Sequence, residues 1–158
     1  MKKDVALNDL LGLDAVVAAC EAETKKQLLE NLAAHAGTAL ALEAHVLFDA
    51  LWEREKLGTT GVGQGIAIPH ARIAGLDKVQ GFFVQLKTPL SFDAVDDQPV
   101  DLVFLLLAPQ DAGADHLHAL ACVSKILRNS DFCAKLRKAK DEKALTQILE
   151  SAVNMCAA

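Results

Sequence analysis

The sequence predicts an α/β (α+β) fold, one sheet covered by helices. Val100–Ala108 is a continuous segment of strand length, apolar but for Asp101, which reads as a central strand covered on both faces. Strand-like runs are mixed with helical segments that carry caps and apolar stripes, the pattern of a sheet packed by helices. Hydrophobic residues make up 52% of the chain but aromatic residues only 4%, so the core is built from Ala, Leu, Val and Ile. A length of 158 residues suits one domain, 1–158, with a sizeable core.

In chain order, Asn8–Leu11 reads as a brief helical turn before Gly12, and Val16–Ala19 as a short strand. Thr24 with Gln27 forms a capping box. A helix is expected from there to about Ala36, with Leu28, Leu29, Leu32 and Ala36 inward and Gly37 ending it. A second helix is expected from about Leu42 to Lys56, stopped at Gly58. Its apolar stripe carries Leu47 and Leu51 and continues at i+7 to Arg54, beside the glycines that follow. Arg54 has a plain alternative role, snorkelling to water or capping the helix C-terminus. Gly75 turns the chain, Val79–Leu86 reads as a strand, and Thr88-Pro89 breaks it. Asp96, Asp97 and Pro99 form a polar turn ahead of the central strand, which Pro109 closes. Asp115 is a candidate N-cap for a helix over His116–Arg128. Asn129 and Ser130 break that helix, Asp131 starts a short one to Ala139, and Asp141 caps a last one reaching about Val153.

The formal net charge of −5 argues against a nucleic-acid binder, which needs a basic face for phosphates. Met1-Lys2-Lys3 could open a signal peptide, but Asp4 and Asp9 interrupt any apolar stretch behind it. The longest apolar run, Leu102–Ala108, is too short to span a bilayer, so a cytoplasmic protein without membrane insertion is expected. Cys20, Cys122, Cys133 and Cys156 form no C-x-x-C pair and read as buried thiols.

Chemistry concentrates in Gly58–Arg72. Gly58, Gly61, Gly63 and Gly65 are four of only nine glycines, and they make a loop whose backbone can approach a ligand or another chain. Ile66–Ile68 then reads as a short buried strand. Pro69 fixes its own φ and biases Ile68 toward extended backbone, so His70 is expected at a rigid strand exit. Of the five histidines, His35 and His45 lie within helices and read as surface or packing residues. His116 falls on the helical face of Leu120, Val123 and Leu127, while His118 falls near the opposite, polar face with Lys125. His70, His116 and Arg54 are therefore the inward candidates. A plain packing role suits a single buried histidine, but two imidazoles, a guanidinium and a glycine loop together suit a phosphoryl site. An imidazole nitrogen can hold the group as a labile phosphoramidate, with Arg and loop donors on its oxygens. Thr59, Thr60, Gly61, Gly63 and Gln64 are the candidate phosphate- and loop-binding positions. The loop lacks the P-loop signature of nucleotide binders. A zinc site from Asp115, His116 and His118 is disfavoured, because the helix sends the two histidines to opposite faces.

These residues resemble a known family. Arg54-Glu55, Gly58-Thr59-Thr60-Gly61-Val62-Gly63, Gly65-Ile66-Ala67-Ile68-Pro69-His70, and His116-Leu117 with Leu120-Ala121 are similar to the motifs of the mannitol/fructose class of enzyme IIA. These proteins belong to the bacterial phosphoenolpyruvate-dependent phosphotransferase system, and the likeness is strongest to the nitrogen-regulatory group. The resemblance covers essentially the whole chain. It implies a single domain with a mixed sheet between helices, no cofactor or metal, and His70 as acceptor of a phosphoryl group from an HPr-type phosphocarrier protein. It further implies that His116 assists, that Arg54 stabilises the phosphate, and that regulatory target proteins read the phosphorylation state. The alternative is a sugar-transport enzyme IIA that passes the group to a IIB protein. A third reading, a histidine-ligated metal hydrolase, requires bound metal. Ala71 stands where the family often has Gly, which would stiffen a turn after His70.

Overall fold

Every other strand is aligned, directly or through one neighbour, on β6, Val100–Pro109. All of its residues from Leu102 to Ala108 are buried. Successive side chains of a strand point to opposite faces. Accordingly Val103, Leu105 and Leu107 pack on one side of the sheet, and Leu102, Phe104 and Leu106 on the other. This computed structural model describes residues 10–152. Before β6 come β1 (Leu11–Cys20), α1 (Lys25–Leu40), α2 (Ala44–Leu57), β2 (Gly61–Gly63), β3 (Ile66–Ala67), β4 (His70–Ile73) and β5 (Gln80–Leu90). After it come α3 (Ala114–Leu127), α4 (Ser130–Lys138) and α5 (Glu142–Glu150).

The sheet is mixed. Its order is β1-β5-β6-β3-β2, with β4 also paired to β6. β5 runs antiparallel to β6, β3 and β4 run parallel to it, and β1 joins β5 in parallel. Helices α1 and α2 cover one face through Leu28, Leu29, Leu32, Leu47 and Leu51. Helices α3, α4 and α5 cover the other through Val123, Ile126, Phe132, Leu136, Leu145 and Leu149. Among the described residues no helix is long and apolar enough to cross a membrane.

The local signals mostly act where the sequence puts them, with instructive shifts. Thr24 Oγ1 accepts the Gln27 N–H at 3.0 Å, but Gln27 Oε1 returns to the Glu23 N–H rather than to that of Thr24. Asn129 and Asp141 cap α4 and α5 through Phe132 and Ala144 N–H groups. Asn129, not Asp131, is thus the cap of α4, and Asp131 lies in its first turn. α3 starts at Ala114 behind Gly113, whose φ of 57° begins the helix ahead of Asp115, so Asp115 is not its N-cap. β5 does not stop at Thr88-Pro89. Pro89 falls in an irregular stretch between the Gln85 and Leu90 pairings, where a missing N–H costs little. Of the helical turn expected at Asn8–Leu11, Leu10 is helical and Leu11 already opens β1, while Asn8 and Asp9 lie outside the described residues, as do Val153 and Cys156. Cys20 and Cys133 are free thiols, whereas Cys122 is disulfide-bonded, a departure from the expected thiol.

Gly37 does not end α1. The helix runs on to Leu40 and closes at Ala41, whose φ is 58°. The Leu42 N–H then returns to the Gly37 carbonyl at 2.9 Å. The chain entering α2 crosses directly over Gly37, and a Cβ there would lie 2.8 Å from the Leu42 oxygen. Helix propensity alone favours Ala over Gly by about 1 kcal/mol. We expect Gly37→Ala instead to destabilise the protein by about 1–2 kcal/mol, the usual scale of overpacking. Urea denaturation reads the sign, and a raised midpoint would show that the α1–α2 turn yields freely.

Candidate functional site

β3 and β4 are two pieces of one extended run laid along β6. Ile66 and Ala67 pair with Leu102 and Val103, and His70–Ile73 pair with Leu106–Pro109. Pro69 interrupts the run because it has no N–H, although its carbonyl still accepts the Leu106 N–H at 2.9 Å. His70 is therefore the first residue of a resumed strand rather than a strand exit, and Ala71 is buried strand rather than part of a turn. Strand alternation puts Ala67, Ala71 and Ile73 in the core under α1 and α2, and Ile66 and Ile68 in the core under α3–α5. His70 continues the second row and is half-buried.

His70 Nδ1 lies 2.8 Å from the Ile68 carbonyl oxygen. A carbonyl can only accept, so Nδ1 carries the proton and the lone pair of a neutral ring is on Nε2. His116 approaches from the first turn of α3, with its ring centroid 5.5 Å from that of His70 and the planes 49° apart. Its side chain is buried, and among the described residues Nδ1 has no hydrogen-bond partner. His118, two residues on, is turned about 200° round the helix and is half-buried.

Both imidazoles are held below the ordinary histidine value of 6.5. For His70 the main cause is burial, opposed by the Ile68 hydrogen bond and by Glu55, and assisted by the Arg54 charge. For His116 burial again leads, followed by the charges of His70 and Arg72. The pair is thus kept neutral at neutral pH, the state in which one nitrogen can attack phosphorus.

Arg54 is half-buried at the end of α2, and its Nη1 donates to the Gly58 carbonyl at 2.9 Å. It caps the helix end while its charge acts on His70. The buried stripe of α2 continues from Leu47 and Leu51 into Glu55. Sequence reasoning followed that stripe to Arg54 and missed Glu55. It also missed Arg72, which shares the face of His70 at i+2 and acts on His116; the period-two alternation of β4 was the available signal.

The glycine loop differs from expectation in where its donors go. Thr59 Oγ1 donates to the Phe92 carbonyl and accepts the Gly61 N–H. The Thr60 hydroxyl and N–H both bind Glu55. The Gln64 N–H binds Asp96 Oδ2, and the Gln64 carbonyl accepts from Arg137 Nη2 at 2.7 Å. The backbone donors of Thr60, Gly61 and Gln64 and the Thr59 and Thr60 hydroxyls are thus bonded within the chain and hold the loop in shape. Gly63 keeps a φ of +104°, with Asp96 beneath it. Gly65 has a φ of +81°, a left-handed backbone that side chains rarely adopt, and the Arg137 and Asp101 side-chain ends close over it. Val62 projects from the loop half-exposed, and Leu117 is exposed beside His116. Ile73, by contrast, is only 2% exposed and offers nothing to a partner. Among the described residues no three His, Cys, Asp or Glu side chains are grouped to hold a metal ion.

A mixed sheet between helices, with a glycine loop and a facing histidine pair at the edge of its central strand, is the architecture of a phosphotransferase-system enzyme IIA. Residues 9–152 match the family described as phosphoenolpyruvate-dependent sugar phosphotransferase system, EIIA 2, and the chain belongs to that family. It is 46% identical over 143 residues to the nitrogen regulatory protein of Bradyrhizobium diazoefficiens, covering 90% of this chain and 94% of that one. The crystal structure of nitrogen regulatory protein IIA-Ntr from Neisseria meningitidis superposes with a TM-score of 0.84 at 34% identity. That match covers 90% of this chain and 98% of the other. The fructose-specific EIIA component of Haloferax volcanii is 38% identical over 127 residues, covering 80% of this chain and 81% of its own.

The lowered histidine values make a signed prediction for stability. Where the folded pKa lies below the unfolded one, the unfolded state binds more protons in the window between them. The stability contributed by neutral His70 and His116 is therefore complete above pH 6.5 and is lost as pH falls below it. We expect the urea midpoint to drop between pH 7.5 and pH 5, and to drop less when both residues are replaced by Gln. Equal losses in the two proteins would contradict the assignment.

Proposed function

We propose that this chain takes a phosphoryl group onto Nε2 of His70 from an HPr-type phosphocarrier, and that regulatory target proteins read the result. The family makes it a phosphorelay protein of the phosphotransferase system. The observation that carries the residue-level reading is the Nδ1 bond to the Ile68 carbonyl, which leaves Nε2 as the nucleophile beside His116. In the step, the Nε2 lone pair bonds to phosphorus, the carrier's N–P bond breaks, and its electron pair returns to the carrier ring. The Nδ1 proton stays on His70, so the ring is cationic while it bears the group, and the Ile68 carbonyl stabilises that charge. Arg54 offers the transferring oxygens a guanidinium once it leaves Gly58, and His116 offers an N–H.

The regulatory reading is supported by the names of two relatives, nitrogen regulatory proteins at 46% and 34% identity. Exposed apolar Val62 and Leu117 beside the histidines suit a docking surface that would sense about two added charges. We place the protein in the cytoplasm, where a carrier that shuttles between soluble partners operates. Likeness to a fructose-specific component keeps a second reading in view, onward transfer to a sugar-specific IIB protein.

Incubation with phosphoenolpyruvate, enzyme I and carrier, followed by alkaline peptide mapping, tests the proposal. Label is expected on His70 alone, and His70→Ala should carry none. Arg54→Gln and His116→Ala should slow uptake on the order of 10²-fold, the usual size of such electrostatic contributions. His118→Ala should change it little, and equal damage there would undo the geometry. Loss of the label to an added fructose- or mannitol-type IIB would favour the transport reading.

A further inference from the structure

The reaction described above leaves Glu55 without a part, yet its carboxylate is buried at the base of the glycine loop and fully engaged. Its side chain is 3% exposed. Oε1 accepts the Thr60 hydroxyl at 2.6 Å, and the Thr60 N–H lies 3.3 and 3.1 Å from the two oxygens. Oε2 also meets Lys25 Nζ at 3.1 Å. Lys25 is held in turn by Asp93 at 3.1 Å and lies 5.2 Å from the centre of the Phe92 ring. Burying a carboxylate is costly unless it is paired and hydrogen-bonded, and here both of its oxygens are engaged.

From Thr60 a chain of bonds leads to the reactive ring. The Thr60 carbonyl accepts the Ile68 N–H at 2.9 Å. The carbonyl of the same residue, Ile68, accepts His70 Nδ1 at 2.8 Å. Glu55 also follows Arg54 directly, so one turn of α2 ends in both the loop's anchor and the guanidinium that acts on His70.

We propose that Glu55 is a positioning residue for phosphoryl transfer: by gripping Thr60 through both its donors, it fixes the Ile68 peptide that orients the His70 ring. The proposal rests on His70 being the acceptor. Lys25 makes such an anchor compatible with the chemistry. A bare carboxylate near the site would repel an incoming phosphoryl dianion, and the ammonium at 3.1 Å offsets that charge locally.

The test compares Glu55→Gln, Thr60→Val and Thr60→Ser in the full chain, with Glu53→Gln as a control that removes the same charge from an exposed position. In Glu55→Gln one of the two acceptor oxygens becomes an NH2, so the amide cannot accept from both Thr60 and Lys25 and sets its own N–H groups against one of them. Uptake from phosphorylated carrier should slow about tenfold or more through lost orientation, with half-saturating carrier nearly unchanged. The residual label should still map to His70. Nitrogen-15 spectra of the unphosphorylated protein should show His70 protonated at Nδ1 in the parent chain. Glu55→Gln and Thr60→Val should give a mixture of the two neutral tautomers, and Thr60→Ser, which keeps the hydroxyl, should restore both rate and tautomer. If Glu55→Gln does not fold, Thr60→Val reads the same anchor from its other end. Unchanged uptake, or slowed uptake with the tautomer unchanged, would overturn the proposal. Label mapped elsewhere in the parent chain would instead defeat the acceptor assignment, while the tautomer spectra would still decide what Glu55 holds.

Discussion

The hydrogen bond from His70 Nδ1 to the Ile68 carbonyl is the contact on which the site depends. A neutral imidazole has one proton and one lone pair to distribute over two nitrogens, and a nucleophile is useful only if the lone pair faces the reactant. A backbone carbonyl suits this task because it cannot donate and does not titrate. Its position is set by the sheet. The Ile68 peptide sits between β3 and β4, which are both paired to β6, and it is tied to Thr60 across the loop. Pro69 fits the gap, since a residue there needs no N–H in the ladder. The buried aliphatic faces of β6 thus anchor a single ring orientation at the sheet's edge.

The electrostatics of the site follow from burial more than from overall charge. The chain is acidic, with a formal net charge of −5, yet its histidine pair lies near Arg54 and Arg72. Burial and those guanidinium charges both disfavour protonation, so the resting pair is neutral. An arriving phosphoryl group reverses the balance, because its negative charge meets two cations and an imidazole able to take a proton. The Thr59 and Thr60 hydroxyls and the Thr60, Gly61 and Gln64 N–H groups give the loop its shape. Its glycines let Thr59, Thr60 and Gln64 bond to Phe92, Glu55 and Asp96 while Val62 is turned outward.

Much of this was legible in the sequence, for identifiable reasons. Val100–Ala108 announced a doubly covered strand because no polar residue but Asp101 interrupts it. The phase of α3 separated His116 from His118 because helical geometry is regular over a few residues. The misreadings came where tertiary contacts outvoted local signals. Gly37 looked like a terminator but is the place where α2's approach leaves no room for a Cβ. Thr88-Pro89 looked like a break, but the strand bends through it to pair Leu90 with Val100. Thr60 looked like a phosphate ligand, but its hydroxyl and N–H are taken by Glu55, five residues back on α2.

Long-range proton–nitrogen correlation spectra of the phosphorylated, nitrogen-15 histidine-labelled protein test the central claim most directly, because they identify which ring nitrogen carries phosphorus. With Nδ1 committed to Ile68, the phosphoryl group belongs on Nε2 of His70, and Nδ1 should keep its proton. Phosphorus on Nδ1 would contradict the account, since the bond taken here to orient the ring would have to be broken for the reaction to occur.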